Sequence, residues 1–499
     1  MFKKILIANR GEIAVRIIRS CRELGIRTVA LYDISDRGSL HVRLADECVQ
    51  LDGYRSFADI DIILTIAREH GVDAIHPGYG FLAENPDFIH ACEAAGIAFI
   101  GPPAAVVETV LNKIGTLKTA RAAGIPTVEH SSRSYAADEF DALAAEADRM
   151  GYPLVVKSCR GGRGRGERMI NSRDQLAEAV RRARVESRAV YGHDQLFLER
   201  AILPARQVGV QIIADAQGNI VCLGEREGSV VHRNQKIVEE APALWAFGEH
   251  PNPDQREAML EAAVRLARLV GYQNLGTVEF LVDEFGGFYL SEIKARIQID
   301  HTLTEMMTRR DLVREQIRLA TGEALGYGQD DVVHQGWAIM CRVQAEDPSR
   351  RYLPSPGHLQ RVRLPGGPEV RVDTYLYCDA DVPPFYDPLI AKVTVWAEDR
   401  AQCVDRMRRA LEDFAIIGTP TNLPLLMDVL RSPAFVSGNY NTGILYRPLL
   451  AKPATDIELV RRDLAAIAAV LHARRHETFN PQTPDQWVTG WHRTSRSLH

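Results

Sequence analysis

Nothing in the 499 residues supplies the run of about twenty apolar residues that a membrane-spanning helix needs. Positive charge is not in excess either. Sixty basic against 65 acidic residues leave a net charge of −5, which gives no nucleic-acid footprint and points to small anionic partners. The eight cysteines (Cys21, Cys48, Cys92, Cys159, Cys222, Cys341, Cys378 and Cys403) never fall at CxxC spacing, so neither a zinc site nor a disulfide framework is expected, and a reducing compartment is implied. The first βα turn lacks GxGxxG and the chain has no GxxxxGK followed by Ser or Thr, which removes support for a nicotinamide cofactor and for a P-loop. The opening MFKKILIANRGEIA reads as a strand entering a helix rather than as a signal peptide, so a cytoplasmic location is expected. With 46% hydrophobic and 25% charged residues the composition is that of a globular protein, long enough for about three domains.

What is present is concentrated between Gly276 and His301, GTVEFLVDEFGGFYLSEIKARIQIDH, where apolar and polar residues alternate as in a β-hairpin. With Phe285 and Gly286 as a two-residue turn, Glu279 on the first strand stands opposite Glu292 on the second. Facing carboxylates repel, and a hard cation such as Mg²⁺, shared with substrate phosphates, relieves that repulsion. Glu292, Lys294, Arg296, Gln298 and Asp300 share parity and line one face if the chain stays extended, giving an anion site beside a metal site. The same alternation also suits a solvated outer sheet face whose charges pair with one another.

Along the chain, Lys4 to Asn9 reads as a strand, and Ile13, Ile17, Cys21 and Leu24 mark a helix ended by Gly25. The strand TVALY, a helix from Ile60 to His70 and the strands VDAIHP and IAFIGP continue a βαβ rhythm, the pattern of a doubly wound parallel sheet. In the tail, Thr455 and Glu458 form a capping box ahead of Val460, Leu464, Ile467 and Leu471 on one helix face, a surface for packing ahead of partner binding. The strand YPLVVKSC carries Lys157 into GGRGRGE, where Gly161, Gly162, Gly164 and Gly166 let backbone amides approach phosphate oxygens. A glycine-arginine run also makes a plain surface turn. A strand lysine ahead of the loop, with paired glutamates later in the chain, is the order an ATP-grasp enzyme needs.

Over about residues 1 to 447 the chain resembles the biotin carboxylase subunit of biotin-dependent carboxylases of the acyl-CoA and pyruvate type, within the ATP-grasp superfamily. The resemblance rests on IANRGEIAVRIIRSCRELG, HPGYGFLAEN, FIGP, the lysine-led glycine loop, ADAQGNIVCLGERE, NQKIVEEAPA, GTVEFL, RIQIDHTLTE, CRVQAEDP, YDPLIAK and IIGTPTN. It implies a mixed α/β and α+β fold: an N-terminal doubly wound parallel-sheet domain over 1–112, a linker and glycine-rich lid over 113–203, and a C-terminal ATP-grasp domain with a mainly antiparallel sheet over 204–447. A helical extension occupies 448–499. The implied reaction uses ATP and bicarbonate to form carboxyphosphate and then carboxylates biotin tethered to a carrier protein.

By position, the resemblance puts Lys113 and Lys157 on the ATP phosphates with Gly161, Gly162, Gly164 and Gly166 over them, and Glu199 and Ile202 on the adenine. Glu279 and Glu292 become ligands of Mg²⁺ or Mn²⁺. Lys236, Arg296, Gln298 and the backbone of Ile299 fall at the bicarbonate, Arg342 at the biotin enolate, and Asp300 at the base that deprotonates bicarbonate. No MKM biotin-attachment sequence is present, so the biotin carrier and the carboxyltransferase are expected in trans, and the family habit is a homodimer with no nucleic acid or membrane partner.

Several positions depart from the family pattern. Asp300 stands for Glu, Lys294 for Asn, Arg163 for Gly, Glu167 for an apolar residue, Gln207 and Asn234 for histidines, and Val231 and His232 for Gln and Arg. A base shortened by one methylene implies slowed activity, since about 1 Å of misplacement costs on the order of a hundredfold. The expectation is an active but divergent enzyme of reduced or altered activity. The alternatives are a silent nucleotide-binding regulatory or structural subunit, and an ATP-grasp ligase with another acceptor. His76 and Tyr79 are expected to shape a turn, His301 to serve packing and hydrogen bonding at least as well as catalysis, and Arg16 and Arg19 to be ordinary exposed arginines of the first helix, a subunit-interface role being suggested only by the family's dimeric habit.

Overall fold

The computed structural model describes residues 1–159, 168–244, 246–247, 250–251, 253–446, 464–465 and 467–469. The glycine loop, Arg163, Glu167 and the tail capping box lie outside these residues, and of the tail only the helical stretches 464–465 and 467–469 are described. The chain divides into two units, Met1–Leu445 and Tyr446–His499.

The N-terminal βαβ rhythm builds a five-stranded parallel sheet in the order Glu47–Gln50, Arg27–Tyr32, Lys4–Ile7, Ala74–His76, Ala98–Phe99. Alternation along its central strand covers both faces. Ile5 and Ile7 pack with Ile13, Ile17 and Cys21 of the first helix, whereas Leu6 packs on the opposite side with Val29, Leu31 and Ile63. That helix, Gly11–Glu23, lies on the interior, and Arg16 is not the exposed arginine expected. It is buried, 2.8 Å from Glu305 and 2.7 Å from Asp311, while Arg19 is exposed. Helical periodicity identifies the buried face of a helix, but cannot show that a second element supplies acids to that face.

Downstream, Leu154–Ser158 lies between Arg168–Ile170 and Leu196–Arg200 in a three-stranded antiparallel sheet. The largest sheet has eight strands: Phe288–Lys294, Asn274–Val282, Arg206–Ala214, Ile220–His232, Gln235–Ala241, Trp337–Gln344, Leu389–Ala397 and Val370–Thr374, each antiparallel to its neighbour. The helix Pro253–Leu269 covers one face, setting Met259, Ala262, Ala263 and Leu266 against Val210, Ile212, Val278 and Phe280. No helix among the described residues is long and apolar enough to cross a membrane.

The hairpin holds Glu279 opposite Glu292, by a route the alternation does not reveal. The turn is one residue earlier than Phe285–Gly286: Asp283 Oδ1 accepts the amides of Phe285 at 2.9 Å and Gly287 at 2.8 Å, and Gly286 N–H donates to Asp283 O at 3.2 Å. Near the turn Phe280 therefore faces Leu290, and a bulge between Glu279 and Phe280 absorbs the extra residue and restores the Glu279–Glu292 register. The second strand ends at Lys294, so the shared face does not extend to Asp300 as a strand face. Asp300 instead precedes the helix His301–Thr308 as its N-cap residue.

Buried charge also sets a pH dependence. Glu227 faces Glu240 across two central strands, and its carboxyl is pushed up from 4.5 to about 7 by burial and by Glu240, against the opposing Arg206. The folded state keeps this proton where the unfolded chain releases it, so the contribution is complete below about 4.5 and is lost as pH rises to about 7. Glu227→Gln should therefore gain on the wild type over that window by on the order of 3 kcal/mol in urea unfolding. A difference that does not change between pH 4.5 and 8 would refute the assignment.

Candidate active site

The two facing acids are matched by ammonium groups from three directions. Lys236, on the adjoining part of the sheet, donates to Glu279 Oε1 at 3.1 Å and Oε2 at 3.3 Å, and Gln298 Nε2 donates to Glu279 Oε1 at 2.7 Å. Lys113, the first residue of the helix Lys113–Ala122, lies 3.2 Å from Glu292 Oε2, and Lys294 lies 2.6 Å from Glu292 Oε1. Burial pushes the Glu292 carboxyl up, but Lys113, Lys294 and Lys157 outweigh it and hold the group well below the usual carboxylate range. Lys236 stays protonated: burial disfavours its charge, and Glu279 and Asp300 more than restore it. Gly228 makes room for this lysine, since a Cβ there would stand 2.5 Å from Lys236 Cδ.

No cluster of three or more acid, histidine or cysteine side chains suited to a metal occurs among the described residues. Two opposed carboxylates without a third fit Mg²⁺ completed by phosphate oxygens rather than a cation held by protein alone. Lys157 lies beyond them on the strand Leu154–Ser158, 2.6 Å from Glu199 Oε2. Glu199 Oε1 is buried with no hydrogen-bond partner among the described residues, and half-buried Ile202 follows the same strand.

The half of the site around Asp300 is organised by a residue the sequence pattern did not single out. Arg226, among the largest fully buried side chains, places Nε 3.0 Å from Asp300 Oδ2. Its Nη1 donates to Gln211 Oε1 at 2.7 Å and Thr304 Oγ1 at 2.6 Å, and its Nη2 to Thr277 Oγ1 at 3.0 Å and Gln298 Oε1 at 3.3 Å. Burial raises the Asp300 carboxyl, but Arg226, Lys236 and Arg342 together hold it well below its ordinary value. Its Oδ1 is buried and accepts no hydrogen bond among the described residues.

Three further residues that the pattern left unmarked hold the named ones. Glu239 grips Arg342 through both oxygens at 2.8 and 2.6 Å, Glu84 accepts from Arg296 Nε at 2.9 Å, and Lys392 donates to the Ile299 carbonyl at 3.3 Å while lying 3.0 Å from Glu12. Each sits in a segment noted for its resemblance, but single-sequence parity gives no register between strands a hundred residues apart. His301 is buried, its Nδ1 2.7 Å from Gln298 O, and burial with Lys392 lowers it to about 3. His76 is likewise lowered to about 3, by burial and Arg16, and its Nδ1 accepts the Gly78 amide at 3.1 Å. Both rings stay neutral and serve as hydrogen-bonding supports.

Comparison with known proteins adds three family matches. They are "Biotin carboxylase, N-terminal domain" over residues 1–107, "Carbamoyl-phosphate synthase L chain, ATP binding domain" over 113–327 and "Biotin carboxylase C-terminal domain" over 340–447. The chain is 43% identical to the biotin carboxylase of Nostoc sp., over 89% of this chain and 98% of that protein. It is 42% identical to biotin carboxylase 1 of Bacillus subtilis, again over 89% of this chain and 98% of that protein. Among solved structures, the biotin carboxylase domain dimer of Hydrogenobacter thermophilus 2-oxoglutarate carboxylase, in complex with MgADP, ADP and bicarbonate, matches with TM-score 0.86 and 41% identity, covering 91% of this chain and 99% of that one. The biotin carboxylase of Campylobacter jejuni matches with TM-score 0.85 and 35% identity, covering 90% and 99%.

Removing one partner of a buried ion pair leaves the other charge uncompensated. Arg226→Met should lower the unfolding free energy by about 3–5 kcal/mol in denaturant titration, and Arg226→Lys, which keeps the charge and loses the fork, by less. Equal midpoints for Arg226→Met and wild type would show that Asp300 does not depend on this guanidinium.

Proposed function

The chain belongs to the biotin carboxylase family, and from that premise we infer that it carboxylates biotin on a separate carrier protein, with ATP and bicarbonate as co-substrates and carboxyphosphate as intermediate. The observation that carries the reading is the buried, ionised Asp300: its Oδ1 lacks a donor among the described residues, and Arg226, Lys236 and Arg342 surround it. A carboxylate held charged among cations can take a proton from an anion that those cations attract.

In this reading Lys236, Arg296, Gln298 and the backbone of Ile299 bind bicarbonate, Arg342 receives the enolate of biotin, and Asp300 takes the bicarbonate proton. The cations hold Asp300 well below its usual range, which makes it a weak base while the site is empty. An arriving anion neutralises part of that field and raises the carboxyl toward the task, so Asp300 becomes a competent base only with substrate in place. Lys113 and Lys157, with Gly161, Gly162, Gly164 and Gly166, bind the ATP phosphates, and Glu199 and Ile202 bind the adenine. Glu279 and Glu292 hold Mg²⁺, which neutralises charge on the phosphates when bound. The domain boundaries at 112, 203 and 447 follow the same reading. So do a homodimer, a cytoplasmic location, and a biotin carrier and carboxyltransferase on other chains.

ADP release measured with ATP, bicarbonate and free biotin tests it. Release should depend on bicarbonate, and Asp300→Asn should lower it by about a hundredfold or more while nucleotide binding persists. Nucleotide binding without bicarbonate-dependent release in the wild type would instead identify a silent protein, and turnover insensitive to avidin would identify a different acceptor.

A further inference from the structure

We propose that Lys294 is a fixed counter-ion of the nucleotide site, occupying one carboxylate oxygen of Glu292 so that the facing acids take a single divalent ion with the nucleotide. The proposal rests on the reading of this site as the ATP site.

The three ammonium groups around the acids differ in how they are held. Lys113 reaches Glu292 from a separate helix and Lys236 reaches Glu279 from a separate strand. Both are the groups assigned above to incoming substrate, phosphate for the first and bicarbonate for the second, so substrate draws them from the acids. Lys294 lies two residues from Glu292 on one strand, which puts both side chains on one face. Its backbone is fixed by pairing with Thr277 and by the Tyr272 hydroxyl, 3.4 Å from its carbonyl oxygen. The ion pair is 2.6 Å long with side-chain exposures of 9% and 18%. Moving this lysine away would bury an unpaired charge.

Oxygen supply then limits the metal. When Lys113 and Lys236 turn to substrate, Glu292 Oε2 and an oxygen of Glu279 become available on facing strands, enough to share one ion with phosphate oxygens. A second ion would need Glu292 Oε1, which Lys294 holds, or Glu279 Oε1, which accepts from Gln298 Nε2 at 2.7 Å. The lysine contributes one positive charge where that ion would bring two, a weaker field on the phosphates and one present without metal.

Crystals grown with Mn²⁺ and β,γ-imido-ATP, measured by anomalous diffraction, count the ions. One peak is expected at Glu279 and Glu292 in the wild type and in Lys294→Arg, and two in Lys294→Met, whose side chain keeps most of the length and loses the charge. Two peaks in the wild type, or one in a nucleotide-bound Lys294→Met, would overturn the proposal. Should Lys294→Met fail to fold, the wild-type count and Lys294→Arg still decide. Absence of nucleotide from the wild-type site would overturn the ATP reading itself, a result distinct from a second metal peak.

Discussion

Mutual neutralisation of buried charge is the constraint on which the rest of the site depends. Glu84, Glu239, Glu279, Glu292 and Asp300 each face a cation brought by another part of the chain or from two residues along the same strand: Arg296, Arg342, Lys236, Lys113 with Lys294, and Arg226. Such pairs add little net stability, because desolvation offsets most of the attraction, yet losing one partner is costly. Their value is positional. Under the proposed function, substrates would enter by exchanging partners: anions would take the cations, and a divalent ion the acids left behind.

Legibility in the sequence tracked the range of the interactions. The facing glutamates could be read because hairpin parity is local, and the reading survived an error: the turn lies one residue earlier, and the bulge beside Glu279 compensates for it. Parity failed where the strand failed. Beyond Lys294 the chain leaves the sheet, so Gln298 still reaches Glu279 while Asp300 turns to Arg226. The parallel N-terminal sheet was equally legible, since short apolar strands alternating with amphipathic helices leave few arrangements.

Arg226 shows why the rest was not. It lies in a strand of mixed charged and apolar residues, GEREGSVV, where nothing local distinguishes an outward arginine from an inward one. Its burial depends on Gln211, Thr277, Gln298, Asp300 and Thr304, contributed by two neighbouring strands and the loop and helix that follow the hairpin. Arg16 is the same case: its partners Glu305 and Asp311 lie nearly three hundred residues away. A buried arginine is legible only once the register of every surrounding element is known.

The Arg226 fork also bears on Asp300, the proposed base. A carboxyl one methylene shorter than glutamate can remain effective if the backbone behind it and the groups around it are fixed. Here the guanidinium binds Asp300 with one nitrogen and, with the others, Thr277, two residues from Glu279, and Gln298, which itself donates to Glu279. On the other side Lys392 holds the Ile299 carbonyl. Asp300 is therefore tied through Arg226 and Gln298 to the strand that carries Glu279, and neither carboxylate can shift alone. Under the proposed function the carboxylates and the Arg226 fork are set before substrate arrives, while Lys113 and Lys236 exchange partners on its arrival, and such positioning contributes most to a reaction between two anions.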